Sequence, residues 1–528
     1  MGMARNPRPS PPAGEAGSPS AGQDEVIGFL ADPKTHGLKR RPVETISTYI
    51  SEIFLAGPRA YKLKRAVKLP YLDFSTPEKR RCACEAELAL NRRTAPALYL
   101  EVRGIGRGAE GKLGWSDEAD AIDWVVVMRR FEQDKLFDAL ARRGALTAPL
   151  MLALVAHIAE FHAAAPPLAD YGGAAAMAAI EAENDAALRG AGARVFPSER
   201  VGALHERWSA RLGLVAGLLD ARRADGKVRH CHGDLHLRNI CLIDGRPVLF
   251  DCLEFSPALA SIDVLYDLAF LLMDLEHRGL REFANLAANR YLDLTGDDAG
   301  LAALPLFLAL RAAIRAKVVA AGAALDGDRG AQAEARAYLD LALALLAPLP
   351  PRLIALGGLS GTGKSTIAQR LAPLVGVRPG ARVLRSDVIR KRLCGVAPET
   401  TLPAGAYSRE MTQRVYGAIR DKAALALAAG YSAIVDAVSL SAEERASFAA
   451  VAHAAGVPFA GIWLEAPAAT LAARIGGRHG DASDATAEVL ALQIGQDPGC
   501  MAWQRVDVGG DVEASFAAVA RAVGVRPA

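Results

Sequence analysis

The sequence lacks the features that mark a secreted or membrane-embedded protein. Its seven cysteines are an odd number. They show no metal-ligand spacing and lie scattered through apparent core segments, which excludes a disulfide framework. No uninterrupted apolar run reaches the roughly 20 residues that a membrane-spanning helix needs, and no charged and apolar leader opens the chain. These absences predict a cytoplasmic protein without a membrane partner.

The sequence also has little net charge. Lysine and arginine total 62 and aspartate and glutamate total 59, so the formal charge is +3 over 528 residues. Proteins that bind long nucleic acids need a basic groove for the phosphates, and this balance argues against such a partner. Apolar residues make up 51% of the chain, as in globular proteins. The length exceeds what one hydrophobic core supports and predicts two or three domains.

Two segments rich in proline and other small residues divide the chain. The first is predicted to be a disordered tail over residues 1–25. The second, residues 347–351, is predicted to be a short, stiff linker. The domains are therefore expected at residues 26–346 and 352–528.

The stretch HGDLHLRNICLIDGRPVLFD organises the first domain. It predicts a hairpin, because two apolar strands flank an Asp-Gly turn. The hairpin brings Asn239 and Asp251 to the same end of two paired strands, beside Asp234. Asp234 is then placed to accept a hydroxyl proton, and the other two offer oxygen ligands to Mg²⁺. In the alternative, these residues serve turns and caps, which explains the Asp-Gly turn but not the clustered histidine and aspartate before it.

The surrounding segments predict a small strand-rich lobe followed by a larger helical lobe. A strand hairpin precedes a helix whose cap is Ser75 or Thr76. Residues 124–128, which end in Met128, form a buried strand, and the pattern from 148 to about 221 is helical. This order is the layout of a bilobal kinase, which binds its nucleotide between the lobes.

These motifs resemble those of the aminoglycoside phosphotransferase and choline kinase branch of the protein-kinase-like fold. The HGDLHLRN motif and Asp251 carry the resemblance, together with the segment DVLYDL at residues 263–268. The resemblance implies that Asp234 is the catalytic base and that His232 orients the catalytic loop. It also implies that Asn239 and Asp251 bind Mg²⁺.

The same resemblance implies a lysine that holds the α- and β-phosphates and a carboxylate that pairs with it. Lys62 and Lys64 are two apart on one strand and share a face; hydrophobic spacing favours Lys64. Glu85 and Glu87 point about 200° apart on a helix, and Glu85 is the expected partner. Met128 is grouped with these residues as a nucleotide contact. No GxGxxG precedes the hairpin, so a glycine-poor loop would have to cover the phosphates.

The second domain opens with an apolar strand followed by GLSGTGKST at residues 358–366. This segment matches GxxxxGK[ST] in full, and a helical segment follows it directly. Backbone amides of the loop surround the β-phosphate, Lys364 reaches the β- and γ-phosphates, and Ser365 binds Mg²⁺. The predicted nucleotide-binding residues are Gly358, Gly361, Thr362, Gly363, Lys364, Ser365 and Thr366.

Charged residues follow the later strands of this domain. Asp387 and Arg390 come after the second strand, at the edge where open α/β sheets bind ligands. Asp436 ends the third strand and is expected to support the Mg²⁺ site. Arg474 and Arg478 share a helix face and could clamp the transferred phosphate. The alternative is that these residues serve as a cap and as surface charges.

This arrangement resembles the small P-loop kinases, among them gluconate kinase, chloramphenicol phosphotransferase and the polynucleotide-kinase or zeta-toxin type. The resemblance implies that Asp387 contacts or deprotonates the acceptor hydroxyl and that Arg390 holds the substrate. It also places the arginine pair in a lid. The order of the two domains resembles a bacterial fusion family of aminoglycoside-phosphotransferase-like and ATP-binding proteins.

The predicted fold is a bilobal α+β kinase-like domain followed by a three-layer α/β/α P-loop domain with a parallel sheet. The predicted function is that of a bifunctional ATP-dependent phosphotransferase, which uses ATP and Mg²⁺ in each domain and acts on small-molecule hydroxyls. In the alternative, the first domain is a nucleotide sensor that regulates the second. The glycine-poor loop favours that alternative, and the intact Asp234, Asn239 and Asp251 set opposes it.

Overall fold

The chain divides into two units. The computed structural model describes residues 21–39, 41–48, 50–69, 72–108, 110–116, 121–326, 328–477 and 482–526. The first unit comprises the described residues up to Asp274 together with Leu310–Asp340. The second comprises Leu275–Ala309 together with the described residues from Leu341 onward. Most of the tail predicted over residues 1–25 lies outside the described residues, and the first helix begins at Ala21.

The first unit contains a six-stranded antiparallel sheet of strand order β1-β2-β3-β8-β6-β7 and three two-stranded ribbons. Alternate residues of the large sheet face opposite sides. Leu55 and Val126 pack with Cys84 of the following helix, whereas Phe54 and Val127 pack on the other face. The strands are β1 (Glu44–Ser47), β2 (Ser51–Ala56), β3 (Arg59–Lys64), β4 (Lys68–Leu69), β5 (Leu72–Asp73), β6 (Tyr99–Arg107), β7 (Leu113–Ser116), β8 (Asp123–Arg129), β9 (Val228–His230), β10 (Ile240–Ile243), β11 (Arg246–Leu249) and β12 (Ser261–Asp263).

Helices dominate the chain after β8, as the pattern predicts. Thr76, one of the two predicted caps, accepts a hydrogen bond from the Lys79 amide at the start of α2. The helices up to residue 345 are α1 (Ala21–Ala31), α2 (Pro77–Asn91), α3 (Phe137–Arg142), α4 (Ala148–Ala164), α5 (Gly173–Arg189), α6 (Ser198–Ala224), α7 (Pro257–Ala260), α8 (Val264–His277), α9 (Arg281–Thr295), α10 (Leu304–Asp326) and α11 (Arg329–Leu345).

The predicted hairpin is present as β10 and β11. The two strands pair antiparallel, with Ile240 opposite Leu249, and Asp244 and Gly245 adopt positive φ values of 50° and 77° in the turn. The Phe250 amide donates to the Asn239 carbonyl at 3.0 Å. The residues just outside the paired strands, Asn239 and Asp251, therefore lie at one end of the hairpin.

The second unit is built on a five-stranded parallel sheet of order β14-β15-β13-β16-β17. Ile354 and Leu356 of its central strand pack with Ile367 of α12 and Phe516 of α18 in one buried core. The strands are β13 (Leu353–Gly357), β14 (Arg382–Arg385), β15 (Ala433–Asp436), β16 (Phe459–Glu465) and β17 (Gln504–Asp507). The helices are α12 (Lys364–Leu371), α13 (Ser386–Leu393), α14 (Arg409–Ala428), α15 (Ala442–Ala454), α16 (Ala468–Gly476), α17 (Ala487–Ile494) and α18 (Val512–Ala522).

Residues 275–309 pack with the parallel sheet, although the sequence assigns them to the first domain. Arg382 of β14 is only 3% exposed. Its Nε donates to Asp298 Oδ1 at 2.7 Å and its Nη1 to Asn289 Oδ1 at 3.0 Å, and its Nη2 lies 2.7 Å from Asp293. A buried arginine needs such partners, and α9 and the turn after it supply them. The predicted domain limit near residue 350 stays a prediction.

One described segment, Asp298–Ala323, is long and apolar enough to cross a membrane by length and composition alone. In the structure, 78% of its apolar window is buried inside the protein. Core helices of globular proteins have the same character.

We expect Asp298→Ala to lower the free energy of unfolding by about 3 kcal/mol, because it leaves the buried Arg382 with one carboxylate fewer. Burial alone would raise the pKa of Asp298, but Arg382 and Lys422 outweigh it and lower that pKa, so the carboxylate is charged. Urea unfolding checks this, with the exposed Asp421→Ala of α14 as the control. Equal stability of the two variants would contradict the assigned role of this ion pair.

Candidate active sites

Two lysines and one glutamate form the centre of the candidate site in the first unit. Strand β3 carries Lys62 and Lys64 on one face, and α2 places Glu87 against both. Lys62 Nζ donates to Glu87 Oε1 at 2.8 Å, and Lys64 Nζ donates to the other carboxylate oxygen. Burial alone would raise the pKa of Glu87, but the two lysines outweigh it and lower the pKa to about 2. The glutamate is therefore a fixed negative charge between two cations.

The prediction that Glu85 pairs with the lysine is wrong. Glu85 is exposed and accepts a hydrogen bond from Arg81 Nε at 2.9 Å. Residues two apart on a helix point about 200° apart, so turning Glu87 inward turns Glu85 outward. The buried positions of α2 include Cys84, Glu87 and Asn91, which follow helical spacing. Reading that face from the sequence would have selected Glu87.

The two lysines differ in their second partner and in their exposure. Lys62 Nζ also donates to Asp251 Oδ1 at 2.5 Å, whereas Lys64 Nζ donates to Glu254. The side chains of Lys62 and Asp251 are 11% and 40% exposed, and those of Lys64 and Glu254 are 0% and 5% exposed. Lys62 is therefore the less buried of the two lysines, and the assignment of Lys64 to the phosphates stays a prediction. The sequence analysis did not single out Glu254.

Asp251 adopts a backbone conformation that side-chain-bearing residues rarely adopt. Its φ angle is +64°, and such strain persists only where the surrounding structure enforces it. The Asp251 amide donates to Tyr99 Oη at 3.1 Å, and the next amide, of Cys252, donates to Asn91 Oδ1 at 2.9 Å. These bonds hold the residue that follows the hairpin. Met128, predicted as a nucleotide contact, is 7% exposed and belongs to the same buried core as Tyr99, and its contact with a nucleotide stays a prediction.

The loop before β10 brings Asp234 and Asn239 together. Asn239 Nδ2 donates to Asp234 Oδ2 at 2.8 Å, which leaves the amide oxygen as the atom that could bind a cation. His236 Nε2 lies 3.3 Å from the same carboxylate oxygen. Burial would raise the pKa of Asp234, but His236 and His232 outweigh it and lower the pKa. Asp234 is thus an ionised acceptor whose side chain is 34% exposed.

His232 connects this loop to the hairpin. Its Nε2 atom lies 2.9 Å from the Phe250 carbonyl, next to Asp251. The backbone amides of His232 and Gly233 donate to the buried Asp267 at 3.1 and 2.8 Å. Burial would lower the pKa of His232, but Cys252, Asp267 and Asp234 outweigh it and raise the pKa to about 9. With a proton on Nε2, His232 donates to the carbonyl and fixes the spacing of loop and hairpin.

The phosphate-binding loop of the second unit joins β13 to α12, as predicted. A Cβ atom at Gly361, where φ is +88°, would lie 2.6 Å from the Leu471 carbonyl oxygen, so the position requires glycine. Thr362 Oγ1 donates to the Leu359 carbonyl at 2.8 Å. Gly358 also has a positive φ, of 137°. The last residues of the motif, Gly363, Lys364, Ser365 and Thr366, cap α12 and form its first turn.

Lys364 and Ser365 form hydrogen bonds with their own loop and with the end of β15. Lys364 Nζ donates to the Gly358 and Leu359 carbonyls at 2.8 and 3.0 Å, within its own loop. Ser365 Oγ donates to Asp436 Oδ2 at 2.6 Å. The strand that ends in Asp436 thus meets the start of α12 at one edge of the sheet.

Asp387 lies in the first turn of α13, directly after β14. Burial and the neighbouring Asp436 raise its pKa. A hydrogen bond with Ser483 opposes this shift, as do the positive charges of Arg385 and Lys364. The predicted acceptor-binding acid and the phosphate loop lysine are therefore electrostatic neighbours in this unit.

The side chain of Arg390 is buried against Ala406 and Tyr407 of the second unit. It is 6% exposed, its Nη1 donates to the Ala406 carbonyl at 2.9 Å, and its guanidinium lies 4.8 Å from the centre of the Tyr407 ring. Tyr407 Oη in turn donates to Asp484 Oδ2 at 2.6 Å, and Lys391 Nζ donates to Oδ1 at 3.1 Å. A role for Arg390 in holding substrate stays a prediction. The sequence analysis assigned no role to Tyr407 or Asp484.

The predicted lid arginines are only partly described. Arg474 of α16 donates from Nη2 to the Gly510 carbonyl at 2.8 Å. Arg478 lies outside the described residues. Their proposed contact with a transferred phosphate therefore stays a prediction.

Comparison with known proteins gives two family matches and full-length relatives. Residues 83–307 match the phosphotransferase enzyme family and residues 353–496 match an AAA domain. An uncharacterized protein of Mycobacterium tuberculosis is 34% identical over 487 residues, which cover 90% of this chain and 94% of the relative. The chain belongs to the family of this mycobacterial protein. The same values hold for an uncharacterized protein of Mycobacterium bovis.

The two family matches show that this chain joins a phosphotransferase-family domain to a P-loop domain of kinase type, which confirms the predicted family and fold. The two matches show that the protein is a kinase-type enzyme. Kinase families use ATP, normally with Mg²⁺. Among solved structures, a gluconokinase from Sinorhizobium meliloti is 23% identical, covering 33% of this chain and 94% of that chain with a TM-score of 0.24. A choline/ethanolamine kinase family protein from Mesorhizobium loti is 15% identical, covering 61% and 98% with a TM-score of 0.38.

We expect Glu87→Gln to lower the free energy of unfolding by about 3 kcal/mol, because it leaves two buried ammonium groups short of one carboxylate. The matched control is Glu85→Gln on the same helix, which should change stability by less than about 0.5 kcal/mol because Glu85 is exposed. Denaturant unfolding of the full chain measures both. A destabilised Glu85→Gln beside an unchanged Glu87→Gln would reverse the assignment.

Proposed function

We propose that the protein is a bifunctional ATP-dependent phosphotransferase that acts on hydroxyl groups of small molecules, with one Mg-ATP site in each domain. A single observation supports this proposal. Each unit gathers, within its own fold, a lysine, oxygen atoms suited to Mg²⁺ and a carboxylate suited to accept a proton. Phosphoryl transfer needs these three kinds of group and little other covalent chemistry from the protein.

In the first unit, Lys62 is the proposed contact for the α- and β-phosphates, because it lies at the exposed end of the ion-pair network. Glu87 holds its ammonium group in place. The amide oxygen of Asn239 and the carboxylate of Asp251 are a hard oxygen set that fits Mg²⁺. The bound ion would neutralise charge on the phosphate oxygens.

Asp234 is the proposed base of this unit. Asn239 fixes its carboxylate, and its lowered pKa keeps it ionised. As the acceptor hydroxyl oxygen forms a bond to the γ-phosphorus, Asp234 takes the hydroxyl proton. The bond between the γ-phosphorus and the bridging oxygen breaks, and ADP leaves with that electron pair.

In the second unit, Lys364 is proposed to exchange its two loop carbonyls for phosphate oxygens when nucleotide binds. Ser365 and Asp436 fit a Mg²⁺ site, because the serine hydroxyl donates a hydrogen bond to the carboxylate and keeps its lone pairs for the cation. Asp387 is the proposed contact for the acceptor hydroxyl. Because burial and Asp436 raise its pKa, it is a stronger base than an ordinary aspartate.

A second candidate function is supported by the loop between β1 and β2. This loop occupies the position where a glycine-rich loop would cover the phosphates, and it bonds to itself. The Ser51 amide donates to Thr48 Oγ1 at 3.0 Å, and the Thr48 amide donates to the Ser51 carbonyl at 2.9 Å. Amides engaged in this way are withdrawn from a phosphate. In this alternative, the first domain binds nucleotide as a sensor and regulates the P-loop kinase.

We expect a non-hydrolysable ATP analogue to saturate at two equivalents per chain in the presence of Mg²⁺, measured by calorimetric titration. Lys364→Ala should reduce the stoichiometry to one, because it removes the charge that faces the β- and γ-phosphates. Arg370→Ala, on the same helix but paired with the exposed Glu513, is the control and should keep two. A wild-type stoichiometry of zero would refute both sites.

We expect Asp234→Asn to slow phosphorylation by the first domain by about 10²–10⁴-fold, the usual contribution of a positioned base. Asp244→Asn in the turn of the same hairpin is the matched control, since asparagine tolerates its positive φ. ADP release is measured against a panel of sugars, aminoglycosides and nucleosides. If Asp234→Asn leaves every turnover unchanged while Lys364→Ala abolishes turnover, the sensor alternative holds.

A further inference from the structure

A second group of potential ligands lies away from the candidate active sites, between α5 and α6 of the first unit. Glu181 and Asp185 are four apart on α5 and share a helix face, and His205 of α6 lies opposite them. His205 Nδ1 is 2.9 Å from Glu181 Oε1. One ligand atom from each of the three residues can be chosen so that all lie within 4.8 Å of one another. These residues line a small cavity of about 10 Å³.

An amide oxygen in the same cavity is unpaired. Asn184 lies on the same face of α5 and is 2% exposed, and it lines the cavity with the three residues above. Its Oδ1 atom is buried and has no hydrogen-bond partner within the described part of the chain. A buried polar atom without a partner is costly and calls for an explanation. A cation in the cavity would provide the missing partner.

The donor set fits a divalent transition-metal ion. Two carboxylates balance a charge of +2, and the imidazole nitrogen favours zinc-like ions over Mg²⁺ or Ca²⁺. Zinc bonds of about 2.0–2.2 Å hold neighbouring ligand atoms roughly 3.3 Å apart. The Glu181–His205 pair already has nearly this spacing, and a carboxylate oxygen of Asp185 lies within 4.8 Å of both ligand atoms.

We propose that Glu181, Asn184, Asp185 and His205 form a divalent metal site that crosslinks α5 to α6. Arg189 Nε holds Asp185 Oδ2 at 2.7 Å, so it orients the carboxylate while Oδ1 stays available to the ion. Among the described residues, a second cluster of His162, Cys231 and Asp267 has comparable spacing. The carboxylate of Asp267 in that cluster is already occupied, because it accepts hydrogen bonds from the backbone of the loop that carries Asp234.

The test uses the full chain in millimolar Mg²⁺, which occupies the proposed nucleotide-associated sites, and adds Zn²⁺ as the probe. We expect His205→Asn to bind one equivalent of Zn²⁺ fewer than the wild type. Its affinity at this site should fall about a hundredfold or more, because even residues that only hydrogen-bond to a metal ligand contribute about 10- to 100-fold to metal affinity. Glu206→Gln, exposed and next in the chain on α6, is the matched control. Metal content after gel filtration and Zn²⁺ titration give the readings.

A second variant guards against a loss of folding in the first. Asn184→Asp adds a charge to the cavity, so Zn²⁺ should bind more tightly and raise the unfolding temperature more than in the wild type. His205→Asn should unfold at the same temperature with and without Zn²⁺. Equal Zn²⁺ content and affinity in His205→Asn and Glu206→Gln would overturn the proposal, as would a Zn²⁺ effect in Asn184→Asp no larger than in the wild type.

Discussion

The buried carboxylate of Glu87 between two lysines is the constraint on which the first candidate site depends. Removing three charges from water is expensive, and such groups often add nothing to stability that apolar side chains of equal size would not supply. The arrangement instead fixes the positions of the charged side chains. One glutamate on α2 fixes two ammonium groups of β3, and each of these contacts a different carboxylate after β11. The helix, the sheet and the segment after β11 are thereby held together by charge.

The candidate site of the second unit is positioned in a different way. There the backbone, rather than an ion-pair network, shapes the site, because Gly358 and Gly361 allow a loop that other residues could not form. The side chains that matter, Lys364, Ser365 and Asp436, all lie at the carboxyl edge of the parallel sheet. Parallel strands deliver their last residues to one edge, so the arrangement follows from the fold itself.

Sequence reasoning was most successful where chemistry and local structure coincide. The Asp-Gly turn, the cap at Thr76 and the phosphate loop each combine a motif with a local conformation, and each is found in the structure. It failed on Glu85 against Glu87, where two identical side chains differ only in helical phase. It also missed Tyr99 and Glu254, whose partners are distant in the chain. Nothing local distinguishes a tyrosine that supports Asp251 from one that only packs.

The assignment of residues 275–309 to the unit of the parallel sheet has a consequence for synthesis of the chain. Helix α9 leaves the ribosome about 90 residues before β14, whose Arg382 it later receives. During that interval its buried polar and apolar positions have no native surface to cover them. A nascent chain halted before β14 would therefore leave the buried face of α9 without the strand that covers it in the native structure.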